Sequence, residues 1–318
     1  MRFSVTIPAY KSQFLREAIE SVICQTFSDW ELVIVDDCSP ENLRSIAVPF
    51  LTDKRISYYH NQKNCGAVNV VDNWNICLSH CKGEYIINMG DDDRLLPCCL
   101  EEYDKLINKY PDLDVFHGRT EIIDDHGTLV TLQEPRPEWE SAMSLVWNRW
   151  AFRNKQFIGD FCYRTEHLKA SGGYHKLPLA WGADDISAAR AAKVKGIANT
   201  ASFVFQYRSN RHTITNSPAP KLSKLKIEAT IAQYHWFTSF LDEMSREALS
   251  EEDAKYLKTI ASPRNDFFRI ALANDCTSYI AGIPSRLIWC YNQLREMQYP
   301  KSVFFKWFLK SIATIISK

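Results

Sequence analysis

Short β-branched runs alternate with stretches of helical period over the first hundred residues. Phe3 to Ile7, Glu31 to Val35, Ile56 to Tyr59 and Tyr85 to Met89 read as strands, with helical segments between them. In the first helical segment Leu15, Ala18, Ile19, Val22 and Ile23 fall at i, i+3, i+4, i+7 and i+8, and Ser12 is placed as an N-cap. Ser39-Pro40-Glu41 predicts another helix start, with a capping serine ahead of a proline suited to the first helical position. This is βαβ grammar and predicts an α/β fold. Strand-to-loop switches then fall at Pro8, at Asp36-Asp37 and at Gly90 to Asp93. Ligands of open α/β sheets lie beyond the carboxyl ends of the strands, so the three switches should converge on one crevice.

The strand pattern continues through Val115-Phe116 and Ile122-Ile123. Glu134 to Phe152, aromatic and containing proline, reads as irregular and mobile. A helical pattern runs from Asp184 to near Gly196, and Asn216-Ser217-Pro218-Ala219-Pro220 is a breaker cluster. Leu222 to Lys318 is nearly all helix-compatible, which predicts a main α/β domain over 1–218 and a helical C-terminal region over 219–318. Residues 300–318 carry Lys301, Lys306, Lys310 and Lys318 and no acid, interleaved with Phe304, Phe305, Trp307, Phe308, Ile312, Ile315 and Ile316. Such a helix lies in a membrane interface or docks its aromatic face on the protein body; its apolar run is too short to span a bilayer.

Composition narrows the function classes. Across 318 residues, 38 Lys and Arg balance 38 Asp and Glu, which excludes a strongly basic nucleic-acid binder and a charge-swollen disordered chain. With 46% hydrophobic and 24% charged residues, a folded core is expected. The ten cysteines lack paired CxxC spacing, so they predict reduced core thiols rather than a zinc site. The amino terminus enters a strand pattern directly, without a charged leader and apolar run. A cytoplasmic protein is expected, placed at the inner face of the membrane if the basic aromatic tail is interfacial.

Three acidic runs are candidates for chemistry. Asp91-Asp92-Asp93 follows a strand; three adjacent carboxylates repel one another, and a hard divalent cation such as Mg2+ or Mn2+ relieves that conflict. A solvated turn with a capping aspartate is the alternative. Asp36-Asp37 ends the second strand, where a carboxylate can accept hydrogen bonds from a ribose or nucleobase, or cap a turn. Asp184-Asp185 opens a helix, whose N-terminus stabilises a carboxylate as the anion needed of a general base; capping again explains it equally. Trp181 offers a plate for a sugar ring or packs in the core. Neither a G-x-G-x-x-G after the first strand nor a P-loop motif occurs, which disfavours nicotinamide-type and P-loop nucleotide sites.

The order of these motifs closely resembles that of family 2 glycosyltransferases. Val5-Thr6-Ile7-Pro8-Ala9-Tyr10, Ile19-Glu20-Ser21-Val22-Ile23-Cys24-Gln25-Thr26-Phe27 and Glu31-Leu32-Val33-Ile34-Val35-Asp36-Asp37-Cys38-Ser39 carry the resemblance. Asn64-Cys65-Gly66, Asn73-Trp74-Asn75, Gly83-Glu84-Tyr85-Ile86 and Asp91-Asp92-Asp93-Arg94-Leu95-Leu96-Pro97 extend it. It is strong to about residue 125 and looser to about 215. It implies a GT-A fold, a Rossmann-like mixed sheet flanked by helices, with a nucleotide-binding half over about 1–125 and an acceptor half over about 126–218. It further implies a nucleotide-diphosphate sugar donor, a divalent metal and inversion at the anomeric centre.

Carried over by position, the resemblance places Pro8, Ala9, Tyr10 and Asp37 around the nucleobase and ribose, with Asn64 and Gly66 nearby. It makes Asp92 the principal ligand of Mg2+ or Mn2+, Asp91 a support of ribose or metal, and Asp93 a support of the sugar or the helix start. Asp184-Asp185 resembles the pair supplying the base, with Asp185 in the catalytic place, and Gly172-Gly173-Tyr174 resembles the turn that precedes it. Arg208, Arg211 and His212 fall where the diphosphate or metal would be contacted. The family often shows Asp-x-Asp-Asp where this chain begins with Gly90, and Asn73-Trp74-Asn75 replaces a common Ala-Arg-Asn. The implied reaction is sugar transfer, from a UDP-sugar in the leading reading, to a glycan or lipid-linked saccharide. The alternatives are an inactive nucleotide-sugar-binding partner and a metal-dependent nucleotidyltransferase.

Overall fold

The computed structural model describes residues 1–209 and 220–316. The described chain forms two compact units, residues 1–176 with 183–209 and residues 177–182 with 220–316. Strands of the first unit are β1 (Phe3–Ala9), β2 (Trp30–Asp36), β3 (Ile56–His60), β4 (Tyr85–Asn88), β5 (Arg94–Leu95), β6 (Val115–Ile123), β7 (Leu129–Leu132), β8 (Trp139–Glu140), β9 (Phe161–Arg164) and β10 (Ile197–Arg208). Its helices are α1 (Leu15–Ile23), α2 (Leu43–Ala47), α3 (Val70–His80), α4 (Cys99–Lys109), α5 (Ala142–Trp150), α6 (Thr165–Ala170) and α7 (Ala183–Ala192).

The strands join one mixed sheet in the order β3-β2-β1-β4-β9-β6-β10-β5, with β7 beside β6 and β8 beside β10. β1 to β4 run parallel, β9 inserts antiparallel between β4 and β6, and β10 is parallel to β6. Ala9 pairs with Asp36 and Thr6 with Asn88, so the carboxyl ends of β1, β2 and β4 share one sheet edge. Alternation along β2 explains why its sequence is almost unbroken in apolar residues. Leu32 and Ile34 join the core under α1 and α4, while Val33 and Val35 pack with Cys77 of α3 on the opposite face. The predicted α1 stripe is buried at Leu15, Ala18, Ile19 and Val22.

Three local expectations are corrected. Ser12 does not cap α1: Phe14 holds the cap position, the Ser12 carbonyl accepts from Leu15 N, and the Ser12 N–H donates to Glu41. No helix starts at Ser39-Pro40-Glu41: the Ser39 oxygen accepts from Glu41 N as expected of a cap, but the Ser39 N–H donates to Asp36, its hydroxyl donates to the Tyr10 carbonyl, and residues 40–42 stay non-helical. α2 begins at Leu43 under an Asn42 cap instead. The stretch 134–152, read as irregular, contains β8 and α5, with the Ser141 side chain accepting from Ser144 N at the start of the helix. Its aromatic residues obscured the helical period, and Trp150 and Met143 are core residues.

The second unit contains α8 (Pro220–Met244), α9 (Glu251–Thr259), α10 (Ala261–Ile280), α11 (Pro284–Leu294) and α12 (Lys301–Ile316). α8 packs on α10 with Tyr234 edge-on to Phe268, and Phe304 of α12 meets Tyr291 of α11. Among the described residues no helix is long and apolar enough to cross a membrane.

Candidate active site

The end of β1 is tied to the ends of its two neighbours. The backbone N–H groups of Tyr10 and Lys11 both donate to Asp91 Oδ2, each at 2.7 Å, and the Ser39 hydroxyl donates to the Tyr10 carbonyl at 2.6 Å. Pro8, Ala9 and Tyr10 are thereby held between the loops that follow β2 and β4. Asp37 is joined to the Asn64–Gly66 segment. Its carboxylate accepts from Asn61 Nδ2 at 2.9 Å and from Cys65 N at 3.0 Å, and its carbonyl accepts from Asn64 Nδ2 at 2.6 Å. Gly66 follows with φ +77°, a conformation that glycine adopts without strain. Pro8, Ala9, Tyr10, Asp37, Asn64, Gly66 and Asp91 therefore come together. Asp36 has a structural task, accepting from Ser39 N and from the Tyr58 hydroxyl.

In the triple aspartate the outer carboxylates are fixed by backbone amides. Asp93 accepts from Arg208 N at 2.9 Å and from Gly90 N at 3.3 Å. Burial first, and then the Asp92 charge, push Asp91 up to about 6 against the two amides that hold it. The same two causes in the same order raise Asp93 well above the ordinary carboxylate range. A Cβ at Gly90 would stand 2.8 Å from Asp92 Oδ1 and 2.9 Å from Asp93 Oδ2. The missing side chain is what lets these carboxylates approach, so an aspartate at position 90 would have to displace them. Among the described residues no three His, Cys, Asp or Glu side chains form a ready-made metal cage. Mg2+ binds through one or two carboxylates together with waters and substrate phosphates, and crowded hard oxygens at Asp91 and Asp92 fit that chemistry.

Arg208 is engaged with the acidic loop itself. Its guanidinium, 1% exposed, donates to the carbonyls of Asp92 at 2.8 Å and Asp124 at 3.1 Å and to Glu17 at 2.8 Å, and it lies over the Phe14 ring. These contacts brace the acidic loop. Arg211 and His212 lie outside the described residues.

Asp184 and Asp185 sit in the first turn of α7. Asp185 is buried and paired with Arg149 of α5, Nε to Oδ1 at 2.8 Å. Asp184 accepts from Asp185 N at 3.0 Å. Burial and then the neighbouring Asp185 charge push Asp184 up to about 8, with Arg149 opposing the shift. Arg149 was not found by sequence reasoning, because it lies in the stretch read as irregular and its pairing is created only by folding. Trp181 belongs to the second unit, where Lys226 lies over its ring at 4.6 Å.

The Asn73-Trp74-Asn75 triplet meets the Gly172-Gly173-Tyr174 turn. Asn75 Oδ1 accepts from Tyr174 N at 2.8 Å, Asn75 Nδ2 donates to the Tyr174 carbonyl, and Trp74 packs edge-on to the Tyr174 ring. Asn73 accepts from Asn61, which also holds Asp37. The Asn73-Trp74-Asn75 triplet thus links the Asp37 loop to the Gly172-Gly173-Tyr174 turn.

An acidic crevice edge on a mixed sheet, with β9 inserted antiparallel and helices on both faces, defines the GT-A class of glycosyltransferase folds. Residues 4–170, just over half of the chain, match the model of glycosyl transferase family 2, and the chain belongs to that family. WcaA of Escherichia coli, provisionally named a colanic acid biosynthesis glycosyl transferase, is 44% identical over 97 residues, 30% of this chain and 33% of WcaA. Matches to the first curated relatives span only 22% to 33% of those proteins. Residues 1–349 of TarS from S. aureus, solved in complex with UDP-GlcNAc, superpose with a TM-score of 0.59 at 16% identity, covering 100% of this chain and 92% of that one. A mannosyltransferase from Pyrobaculum calidifontis, solved with GDP-Man and Mn2+, has a TM-score of 0.51 at 14% identity, covering 98% of this chain and 84% of that one.

Proposed function

We propose that this protein is an inverting glycosyltransferase that moves a sugar from a nucleotide-diphosphate sugar, a UDP-sugar in the favoured reading, to a saccharide or lipid-linked saccharide acceptor in cell-surface polysaccharide synthesis. The observation that carries the reading is the acidic loop after β4, in which Asp91 is clamped to the end of β1 and Asp93 to the end of β10, with Asp92 between them. The nucleotide-sugar complexes of the TarS and mannosyltransferase neighbours support the donor class, and the name of WcaA supports the polysaccharide setting.

In this reading Pro8, Ala9 and Tyr10 with Asp37, Asn64 and Gly66 hold the nucleoside. Mg2+ or Mn2+, held through Asp92 with Asp91 beside it, supplies charge neutralisation to the departing diphosphate. Asp93, anchored by Arg208 N, keeps the loop in place under the sugar. Asp185 takes the proton of the acceptor hydroxyl as that oxygen attacks the anomeric carbon from the face opposite the diphosphate. Arg149 orients Asp185, and the proton-retaining Asp184 beside it limits the negative charge collected at the start of α7. A screen of UDP-, GDP- and dTDP-sugars with Mn2+, reading the released nucleoside diphosphate, tests the assignment. UDP release on sugar transfer is expected. Release of pyrophosphate, or donor binding without either transfer or hydrolysis, would overturn it.

A further inference from the structure

The C-terminal helix α12 is apolar on two faces, and the second unit covers only one of them. Phe304, Trp307 and Ser311 are buried against the unit, so one face docks. A second stripe, Phe305, Leu309, Ile312 and Ile316, recurs at i, i+4, i+7 and i+11 and therefore runs along a single side of the helix. Three of its members face solvent, with Phe305 57%, Leu309 49% and Ile316 81% exposed, and Ile315 beside them is exposed as well. The stripe extends onto a neighbouring element. A Cβ at Gly282 would stand 3.2 Å from Ile315 and 3.5 Å from Ile312, and the next residue, Ile283, is exposed.

Charge identifies what suits this face. The whole chain is neutral, yet residues 282–318 hold six basic residues, Arg286, Arg295, Lys301, Lys306, Lys310 and Lys318, against the single acid Glu296. Lys306 and Lys310 are exposed on α12, one turn apart, along the border of the apolar stripe. A second copy of the same face would set those lysines against like charge. An anionic lipid surface accepts both features, since acyl chains take the aromatic and aliphatic side chains and headgroup phosphates take the ammonium groups at the ends of their long stems.

We propose that the outer face of α12, with the turn at Ile283, is a peripheral docking surface for an anionic lipid bilayer, with the helix lying in the plane of the interface. The proposal is independent of donor chemistry, because it rests on the second unit alone. Its test is co-sedimentation of the full chain with phosphatidylcholine vesicles with and without phosphatidylglycerol. Binding is expected only to the vesicles that contain phosphatidylglycerol, and it should weaken as salt is raised. F305Q/L309Q should abolish it, and K306Q/K310Q should weaken it by about fivefold per lysine removed. Both pairs are exposed, so circular dichroism and melting temperature should stay unchanged. Failure of the full chain to bind either vesicle, or equal binding by F305Q/L309Q, would overturn the proposal. So would concentration-dependent dimerisation that F305Q/L309Q abolishes, which would assign the face to a second copy.

Discussion

The triple aspartate after β4 and the aspartate pair that opens α7 use the same side chain and restrain it by opposite means. In the first, backbone amides hold the outer carboxylates. In the second, a guanidinium pairs with Asp185 directly. Amides fix position while leaving net negative charge in place, which suits a site completed by a metal and phosphates. An arginine partner cancels charge and fixes orientation, which suits a group that must stay aimed as it accepts a proton. One cluster should therefore respond to metal and the other to the loss of its partner.

The comparison is broken most severely by Asp185→Asn. Transfer should fall by roughly 10² to 10⁴ while donor affinity by calorimetry stays within a fewfold; near-normal turnover would remove Asp185 from the base role. Asp92→Ala should lower turnover by roughly 10² to 10³ and also remove the Mn2+ dependence of donor binding. Persistence of that dependence would place the metal elsewhere. Arg149→Gln removes the guanidinium from Asp185 and should cost about 2 kcal/mol of stability, read by denaturant titration, with a smaller loss of rate than Asp185→Asn. Asn75→Ala, which cuts the link to Tyr174, should cost about 1 kcal/mol without altering the KM for donor.

Stability should also depend on pH. Asp184 ionises near 3.8 in the unfolded chain and at about 8 in the fold, so the folded state holds its proton more tightly. Its contribution to stability is complete below about pH 4 and declines as pH rises towards 8. Asp184→Asn should flatten that part of the melting-temperature profile. A profile that keeps its full slope in the variant would show that other groups cause it.

Much of the fold was legible in local pattern. Alternation in β2 and the i, i+3, i+4 stripe of α1 are short-range consequences of strand and helix geometry, and they persist because each buried face has an apolar partner. Helix starts were less legible. Ser12 and Ser39 are tied across loops to Glu41, Asp36 and the Tyr10 carbonyl, and although the Ser39 oxygen accepts from Glu41 N the next helix begins only at Leu43. Gly90 departs from the aspartate that the family often shows there, and the close approach of the Asp92 and Asp93 carboxylates gives it a steric cause. The contacts of Arg208 with Asp92, Asp124 and Glu17 were not legible, because those residues are far from it along the chain.

By itself, the order of residues determined the strand and helix alternation, the acidic runs at strand ends and the family to which the chain belongs. Tertiary structure alone decided which partners hold each carboxylate, because those partners lie far apart along the chain. Asp91 meets Tyr10 across 81 positions, Asp93 meets Arg208 across 115 and Asp185 meets Arg149 across 36. A carboxylate's charge, orientation and proton affinity depend on which donors surround it in space, and a linear pattern specifies those donors only after folding has brought them together.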